Sequence, residues 1–538
     1  MRIYKPMDAI KDLNELGVAL SREKSQEHLL ELILIIAKKL THSDAGTLFM
    51  MDDDGNLRFE VIRTDSLGFA MGGTTGNDIP FPPVRLHDEH GRANLEQVVA
   101  CSVLHDKTIN IPDAYTATDF DFSGTRAFDA KTGYRSTSFL CVPMKDHNGD
   151  IIGVLELINA LDAEGKEITA FGKRDEQLAE SLASEAAVAL TNKRLIEEMR
   201  ILFESFIQLI ATAIDKKSTH TGAHCTRVPE LTLMLAEAAS RQDSGPLQDF
   251  TLDDGGRYEL EIAAWLHDCG KITTPEYVVE KSTKLETICD RINLINARFA
   301  SLHLMADYEY ADAKRNCRSD DAESLREIEQ SYQDKIKQIE DDRQFLRRCN
   351  TGGEFMREED QDRVRRIATQ TWRNAEREEV PLLTEEEVKN LTIAKGTLLP
   401  EEREIINDHI VMTIKMLESL PFPKHLRNVP EFAGGHHERM DGKGYPNGLV
   451  REQMSVQART MAIADIFEAL TASDRPYKKA MPISRALQIL GNMKLDNHID
   501  PDLFDVFVRE KVYEDYARQY LRPEQLDEML ATNRVVRF

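Results

Sequence analysis

Two neighbouring histidines, in the stretch HHERMDGKGYP, are the residues whose types and spacing most clearly suggest chemistry. His436 and His437 are followed by an acid, a lysine and a tyrosine among glycines and a proline. Glycine costs about 1 kcal/mol inside a helix and proline about 3 kcal/mol, so the stretch is predicted to be a loop. Because neutral imidazole is a common metal ligand, both histidines could bind one cation from such a loop. The alternative is a solvated turn.

Five further side chains with metal-binding chemistry lie on predicted helices. His267 and Asp268 end the apolar run ELEIAAWLHDCGK, where burying an unpaired carboxylate would cost several kcal/mol. A divalent cation would compensate that cost, and so would a simple histidine–aspartate hydrogen bond. The other three are His224, at the start of a periodic stretch, His409, within an amphipathic helix, and Asp465, an acid inside an otherwise apolar helix.

Together these nitrogen and oxygen donors are too many for one tetrahedral site. Imidazoles on either side of a bridging carboxylate suit two metals instead, the arrangement used for displacement at a phosphoester. Lys271 lies three residues after Asp268, where its ammonium could reach an anionic substrate beside the metals. His220 lies four residues before His224 and would share its helical face. His220 is therefore a candidate ligand of a third metal, and a loose turn is the alternative.

The elements that must carry these donors are predicted helices, whereas the first part of the chain has the pattern of a sheet. Apolar residues at spacings of three and four predict a helix from Ile10 to Leu40. Two hairpin patterns follow, around DDDGN and around Asn148-Gly149, and predict an antiparallel sheet with helices on one side. The chain of 538 residues is long enough for two or three domains. We expect a multidomain α+β protein with an N-terminal α+β domain and a C-terminal all-α domain.

Two stretches between and within these domains have helical patterns of their own. Residues 175–217 lack glycine and proline, which predicts a connecting helix. Its apolar stripe would need a partner and favours a homodimer, whereas a helix broken between two domains is the alternative. Residues 287–394 are rich in charge and predict an inserted helical hairpin. That insertion could be a lid, a partner site or a dimer arm, or a solvated arm without a role.

Composition argues against several partners and compartments. A net charge of -25 argues against a nucleic-acid polymer or an anionic membrane as the main partner. Seven cysteines without a CxxC spacing are typical of reduced thiols. The chain start lacks the apolar core of a signal peptide, and no apolar run approaches the roughly 20 residues of a membrane span. We expect a soluble, cytoplasmic protein without membrane insertion.

Three motifs in the first part of the chain, NIPDAY, DAKTGYRSTSFLCVP and GVLELINA, resemble those of a GAF domain. The resemblance implies a small-ligand sensor over residues 1–195, with Asp113, Asp129 and Thr132 facing its pocket. The same side chains could instead cap and shape the loop. The cyclic-nucleotide-binding branch has a lysine where this chain has Ala160, which argues against a cyclic nucleotide. The GAF ligand is therefore unidentified.

The motifs HCTRV, HDCGK, DHIVMTIKML, HHERMDGKGYP, ADIFEALTASDRPYKKA and IDPDLFDVF occur in this order. They resemble an HD-GYP domain, a metal-dependent phosphodiesterase, over residues 200–515, followed by a helical tail at residues 516–538. The resemblance implies that all seven donors are metal ligands, that Asp268 is the bridge, and that Lys271 is catalytic. It also implies contacts to substrate phosphates and bases from Lys443, Gly444, Tyr445, Arg475 and Lys478.

The implied activity is hydrolysis of the phosphodiester bonds of cyclic di-GMP by a metal-bridged hydroxide, under control of the GAF sensor. The donors suit iron, manganese, zinc and nickel alike. We expect two divalent ions, iron or manganese, or three if His220 also binds. One alternative is an HD-type phosphohydrolase for another nucleotide, such as cyclic GMP-AMP. The other is a catalytically silent scaffold that binds a nucleotide and signals through partners.

Overall fold

The computed structural model describes residues 23, 25–162, 164–217, 223–317, 322–352, 355–472 and 481–526. The chain forms two units that divide between Leu202 and Phe203. Among the described helices, none combines the length and the apolar character needed to cross a membrane. Each unit has its own apolar core.

An antiparallel sheet forms the centre of the first unit, as the hairpin patterns predict. Its strands are β1 (Ser43–Met51), β2 (Leu57–Thr64), β3 (Phe69–Gly72), β4 (Ile109–Ile111), β5 (Phe139–Lys145), β6 (Ile151–Leu161) and β7 (Ile168–Thr169). The strands are hydrogen-bonded in the order β3-β2-β1-β6-β5-β4, and β7 pairs with β6. The two predicted hairpins are the antiparallel pairs β1–β2 and β5–β6.

Helices cover both faces of this sheet. They are α1 (Gln26–Thr41), α2 (Val98–Leu104), α3 (Ser123–Thr132) and α4 (Lys173–Lys217). Apolar side chains of α1 and α4 pack with Leu155 of β6, and α2 packs with the neighbouring Val154. Successive side chains of a strand point to opposite faces, so the expectation of helices on one side is incomplete. The predicted helix from Ile10 begins, within the described residues, at Gln26.

One helix, α4, continues from the first unit into the second. It spans Lys173–Lys217, a length of 45 residues, without interruption. The stretch is thus one continuous helix, and its role as a connecting signalling helix stays a prediction. The absence of glycine and proline from the stretch explains the continuity, because these residues are the usual helix breakers.

The second unit is helical, and two of its apolar clusters involve the helices that carry candidate donors. Its helices are α5 (His224–Ser240), α6 (Asp254–Leu266), α7 (Glu276–Val279), α8 (Ile292–Asn316), α9 (Ala322–Asn350), α10 (Glu358–Ala368), α11 (Glu385–Leu391), α12 (Pro400–Glu418), α13 (Val429–Gly434), α14 (Val456–Thr471), α15 (Ile483–Leu495), α16 (Pro501–Arg509) and α17 (Val512–Tyr520), and a 3₁₀ turn spans Cys269–Thr273. One cluster joins α5 and α14 to α15, α16 and α17. The other joins α5, α6, α12 and α13 to the end of α4. Both clusters surround the helices that carry the candidate donors.

The charged stretch at residues 287–394 of this unit is folded where the structure describes it. Helices α8 and α9 form the predicted antiparallel hairpin, in which the rings of Tyr310 and Tyr332 stack at 4.4 Å. The segment also contains a two-stranded sheet, β8 (Thr371–Arg373) with β9 (Glu379–Pro381). The prediction of helices alone missed these strands, because three residues are too few to show an alternating pattern.

Buried polar contacts join the base of the insertion to α12. The ammonium of Lys281 is fully buried and lies 2.7 Å from a carboxylate oxygen of Glu402 on α12. It also donates to the Asn390 side chain on α11, at 2.9 Å. A buried lysine needs such compensation, since removing one partner of a buried pair is strongly destabilising. The insertion is therefore tied to the helix that carries His409.

Candidate metal centre

All seven predicted donors come together in the second unit. His224 is the first residue of α5, His267 and Asp268 directly follow α6, His409 lies in α12, His436 and His437 follow α13, and Asp465 lies in α14. Three groups of three have ligand atoms within 4.8 Å of one another: His224, His267 and Asp465; His267, Asp268 and His436; and His409, His436 and His437. Because the groups share members, they form one continuous cluster.

Asp268 lies between two sets of histidines. Its Oδ2 is 3.4 Å from Nε2 of His224 and 3.2 Å from Nε2 of His267. Its Oδ1 is 3.3 Å from Nε2 of His409, and that Nε2 is 3.3 Å from Nε2 of His437. A carboxylate that offers one oxygen to each side has the geometry of a bridging ligand between two cations.

Three of the histidines are held in one tautomer by the backbone. The Nδ1–H of His267 donates to the carbonyl of Ala264 at 2.7 Å, and that of His436 donates to Ala433 at 2.6 Å. His409 makes the same contact with the carbonyl three residues before it. Because a carbonyl can only accept, Nδ1 is the protonated nitrogen in each ring. The unprotonated Nε2 atoms therefore face the cluster, as metal ligands require.

Several polar atoms of the cluster are buried without a hydrogen-bond partner among the described residues. They are Nε2 of His267, Nε2 of His436 and Oδ1 of Asp268. Buried polar atoms without a partner cost about 1–3 kcal/mol each, and native proteins contain few of them. Divalent cations would satisfy all three at once. The residues present therefore fit a metal pair by donor type and by tautomer.

A carboxylate that the sequence reasoning missed supports the first histidine. Glu468 is only 1% exposed; it accepts a hydrogen bond from Nδ1 of His224 and one from Nε of Arg227 at 2.7 Å. Burial would raise the pKa of Glu468, but the hydrogen bonds from His224 and Arg227 outweigh it and lower the pKa. Glu468 follows Asp465 by three residues on α14, so a second acid in that apolar helix was the available signal.

Lys271 is placed beside the bridging carboxylate. Its ammonium lies 2.5 Å from Oδ2 of Asp268. Burial alone would lower the pKa of Lys271, yet the charges of Asp268 and Asp465 raise it, so the side chain is a cation. The turn packs closely on α12: a Cβ on Gly270 would lie 1.9 Å from the His409 carbonyl oxygen. Glycine is therefore required between the bridge and the lysine.

The GYP loop, residues 436–446, contacts the same cluster through Tyr445. Its ring stacks on His437, with centroids 4.8 Å apart. Gly444 permits a close backbone approach, because a Cβ there would lie 2.4 Å from Cα of Glu438. Glu438, also missed by the sequence reasoning, is buried and accepts from the N–H groups of Asn447 and Leu449. These contacts order the loop around its tyrosine.

Other predicted residues have different surroundings. The Lys443 side chain is 78% exposed and lies 3.7 Å from Oδ2 of Asp441, a residue outside the donor cluster. His220, Arg475 and Lys478 lie outside the described residues.

The three candidate pocket residues of the first unit make hydrogen bonds within α3 and the segments beside it. Asp129 accepts from the Tyr115 hydroxyl at 2.7 Å and from both the N–H and hydroxyl of Ser136. Asp113 accepts from the Tyr115 N–H at 2.9 Å, and the Thr132 hydroxyl donates to the backbone. These contacts fix α3 and the segments beside it, and ligand contacts of the three residues stay a prediction. A cavity of about 660 Å³ lies elsewhere in this unit, between β5 and α4, beside Asn110 and Lys145.

Family models match two parts of the chain. Residues 25–190 match the GAF domain, and residues 384–503 match the HD domain. The HD match contains the four donors from His409 to Asp465. The three donors that precede the insertion lie outside it.

Relatives of known name match parts of the chain. A 3'3'-cGAMP-specific phosphodiesterase of Vibrio cholerae is 40% identical over 119 residues, 22% of this chain and 25% of that protein. A cyclic di-GMP phosphodiesterase of Pseudomonas aeruginosa is 46% identical over 74 residues, 14% of this chain and 17% of that protein. One of Thermotoga maritima is 32% identical over 130 residues, 24% of this chain and 34% of that protein. The chain thus spans only 17% to 34% of the length of these relatives.

Proposed function

We propose that this chain, in which a GAF domain precedes an HD domain, is a metal-dependent phosphodiesterase that hydrolyses cyclic di-GMP. The observation that carries the proposal is the position of Asp268, whose two oxygens face different histidines while a lysine lies beside it. A bridged pair of cations is the arrangement used for displacement at phosphorus. The two relatives named cyclic di-GMP phosphodiesterases support this substrate.

The chain's own residues have distinct roles in this proposal. Bound divalent cations would supply a water of lowered pKa and positive charge near the phosphate. Asp268 and the inward Nε2 atoms would hold those cations. The Lys271 ammonium, 2.5 Å from Asp268, would stabilise negative charge on the non-bridging phosphate oxygens. Because the charges around it raise its pKa, Lys271 would enter the reaction protonated.

The GYP loop is the proposed contact for the rest of the substrate. Tyr445 is stacked on His437 and is the side chain best placed to meet a base beside the cations. Gly444 would contribute through the close backbone approach that it permits. Lys443 is exposed and would meet a phosphate from the solvent side. The substrate contacts of Arg475 and Lys478 stay predictions.

The metals are proposed to be two ions of iron or manganese. Imidazole and carboxylate donors suit these ions, and the contacts of the two Asp268 oxygens with different histidines support two positions. A third ion would need His220, so it stays a prediction. Elemental analysis of the purified chain tests both the identity and the number of ions per chain.

We also propose that a second copy of the chain pairs along α4. Leu195, Met199, Leu202, Phe206 and Leu209 are each between 41% and 68% exposed. Their spacings alternate four and three, the a and d pattern of a coiled coil, which places them on one stripe. Sedimentation analysis should report a dimer for the natural chain and a monomer for Leu202→Glu. The control Gln208→Glu, off the stripe, should stay dimeric.

Activity is proposed to respond to a small ligand at the first unit, by a shift between two populations of the chain. The GAF match supports a sensor role, and the ligand itself is unidentified. Limited proteolysis of α4, with and without candidate ligands, tests this control. Identical cutting under every ligand would count against it. The cytoplasmic location also stays a prediction, supported by the seven free cysteines.

The decisive experiment measures cyclic di-GMP hydrolysis by chromatography. The full chain is loaded with Mn²⁺ or Fe²⁺, and bound metal is quantified in the same samples. We expect Asp268→Ala to lose both bound metal and turnover. We expect Lys271→Met to keep its metal and lose about 10²- to 10³-fold in kcat, because it removes charge stabilisation but no ligand. The control Lys424→Met, at an exposed lysine of the same unit, should match the natural chain.

Cyclic GMP-AMP in the same assay decides between the two substrates. The match to a relative named for cGAMP favours this second candidate specifically. A higher kcat/KM for cyclic GMP-AMP would replace cyclic di-GMP in the proposal. A chain that binds metal but hydrolyses neither dinucleotide would contradict the enzymatic function and favour a nucleotide-binding scaffold.

A further inference from the structure

The last residue of α4 donates hydrogen bonds to the turn that carries Lys271. The Lys217 ammonium lies 3.1 Å from the carbonyl oxygen of Lys271 and 2.7 Å from that of Thr274. It also donates to the carbonyl of Ile272. An ammonium has three N–H donors, so these three carbonyls use all of them. The Lys217 ammonium therefore binds three backbone carbonyls at and just after the turn.

The carbonyls of Lys271 and Ile272 belong to the 3₁₀ turn Cys269–Thr273, which directly follows the bridging Asp268, and Thr274 is the residue after the turn. On its other side the turn is fixed by Gly270, whose N–H donates to the Thr413 hydroxyl at 2.9 Å. The backbone at Lys271 is thus held from two directions. Lys217 supplies the only contact of the two that comes from the connecting helix.

The same helical turn of α4 also contacts the start of α5. Asp215 is buried, and its two oxygens lie 3.3 and 3.2 Å from the N–H of Cys225. Cys225 is the neighbour of the candidate ligand His224 on α5. The last turn of α4 is therefore bonded beside a metal ligand and beside the catalytic lysine. Displacement of this turn would shift both.

We propose that Lys217 is a positioning residue for Lys271, acting through the carbonyls of the turn. The inference rests on the proposed function, in which Lys271 stabilises the phosphate. It extends that function to a residue at the end of the helix that leaves the GAF domain. Lys217 does not touch substrate or cation in this account. Its effect comes from the orientation of the backbone at Lys271, to which catalytic geometry is sensitive.

Lys217→Ala, Lys217→Arg and the control Lys216→Ala test this role in the full-length, Mn²⁺-loaded chain. Lys216 is the exposed neighbour on the same helical turn. We expect Lys217→Ala to lower kcat for cyclic di-GMP by about 10- to 100-fold, the range expected for a displacement near 1 Å. KM and bound metal per chain should be unchanged. Arginine should restore part of the kcat, since its guanidinium also donates to carbonyls, and Lys216→Ala should match the natural chain.

Hydrogen exchange of residues 269–274 provides a measurement independent of turnover. The amide of Thr274 is bonded to the Lys271 carbonyl, so Lys217→Ala should speed its exchange and Lys216→Ala should not. If the chain with its natural sequence shows no turnover, the proposed function is refuted. Hydrogen exchange alone then tests the positioning role. Unchanged exchange would overturn that role. A kcat of Lys217→Ala equal to that of the natural chain would also overturn it. So would a variant in which only bound metal and melting temperature decrease.

Discussion

Replacing Glu468 with glutamine should weaken metal binding without removing a ligand. Glu468 is 1% exposed and accepts hydrogen bonds from His224 and from Arg227. Glutamine has nearly the same shape but no charge. His224 therefore keeps its place but loses the carboxylate that orients its ring and makes its other nitrogen a stronger ligand. The substitution therefore tests the outer hydrogen-bond partner of His224 and leaves the ligand itself in place.

The size of the effect follows from the burial of this contact. Losing an outer partner of a metal-binding histidine typically costs about 10- to 100-fold in affinity, or about 1.4 to 2.7 kcal/mol. The guanidinium of Arg227 also loses a charged acceptor at 2.7 Å, so the melting temperature should fall as well. At saturating metal, kcat should stay within a few-fold of the natural value, because all seven donors and Lys271 remain.

Equilibrium dialysis of the metal-free chain against Mn²⁺, with elemental analysis, measures the affinity directly. The matched control is Glu259→Gln, another buried carboxylate of the same unit, which accepts from the N–H of Asn428 at 2.7 Å. Glu259→Gln should lose stability but keep its Mn²⁺ affinity. Equal Mn²⁺ affinity in Glu468→Gln and Glu259→Gln would refute the reasoning.

Three further predictions concern the loop, the first unit and the metals. Gly444→Ala must move the GYP loop by about 1 Å to relieve the 2.4 Å approach to Glu438, so kcat/KM should fall about 10²-fold. The control Gly255→Ala, where the nearest contact is 3.6 Å, should be neutral. Equal kcat/KM in the two variants would disprove this prediction. Burial raises the pKa of the Glu156 carboxyl to about 7, so stability falls as pH rises from 4.5 through 7. Calorimetry should therefore find Glu156→Gln more stable than the natural chain at pH 8, with the difference in stability shrinking toward pH 4.5. A difference of equal size at pH 8 and pH 4.5 would contradict this. Removing metal with a chelator should lower the melting temperature, and Mn²⁺ should restore it because it binds the folded state; Mg²⁺, which prefers oxygen ligands, should restore less.

Residue chemistry was enough to single out Asp268 and Asp465 among the donors that the structure brings together, whereas histidines such as His224 were assigned by their motifs. An aspartate in the apolar helix α14 and a His-Asp pair at the end of α6 are costly unless compensated, and this cost is visible in the sequence. The long periodic stretch of α4 and the hairpins of the first unit were predictable for a similar reason. Their patterns are long and regular.

Contacts between distant residues could not be predicted in the same way. His224 and Glu468 are 244 positions apart, and Lys217 is 57 positions from the Thr274 carbonyl. Nothing local distinguishes Lys217 from other charged residues on helices, and the one local signal for Glu468, its place in an apolar helix, does not identify His224 as its partner. The loop contacts of Asp113 and Asp129 likewise depend on which partners the fold brings near.

The sequence by itself determined which residues could bind metal, where the helices and hairpins lie, and that the chain joins two kinds of domain. These properties depend on local preference and on the cost of burying charge, both of which are read from neighbouring residues. Only the tertiary structure decided that Asp268 offers one oxygen to each set of histidines, that Glu468 supports His224, and that α4 ends on the turn of Lys271. Those arrangements depend on distances of about 3 Å between atoms far apart in the chain, and close packing of the whole unit sets such distances.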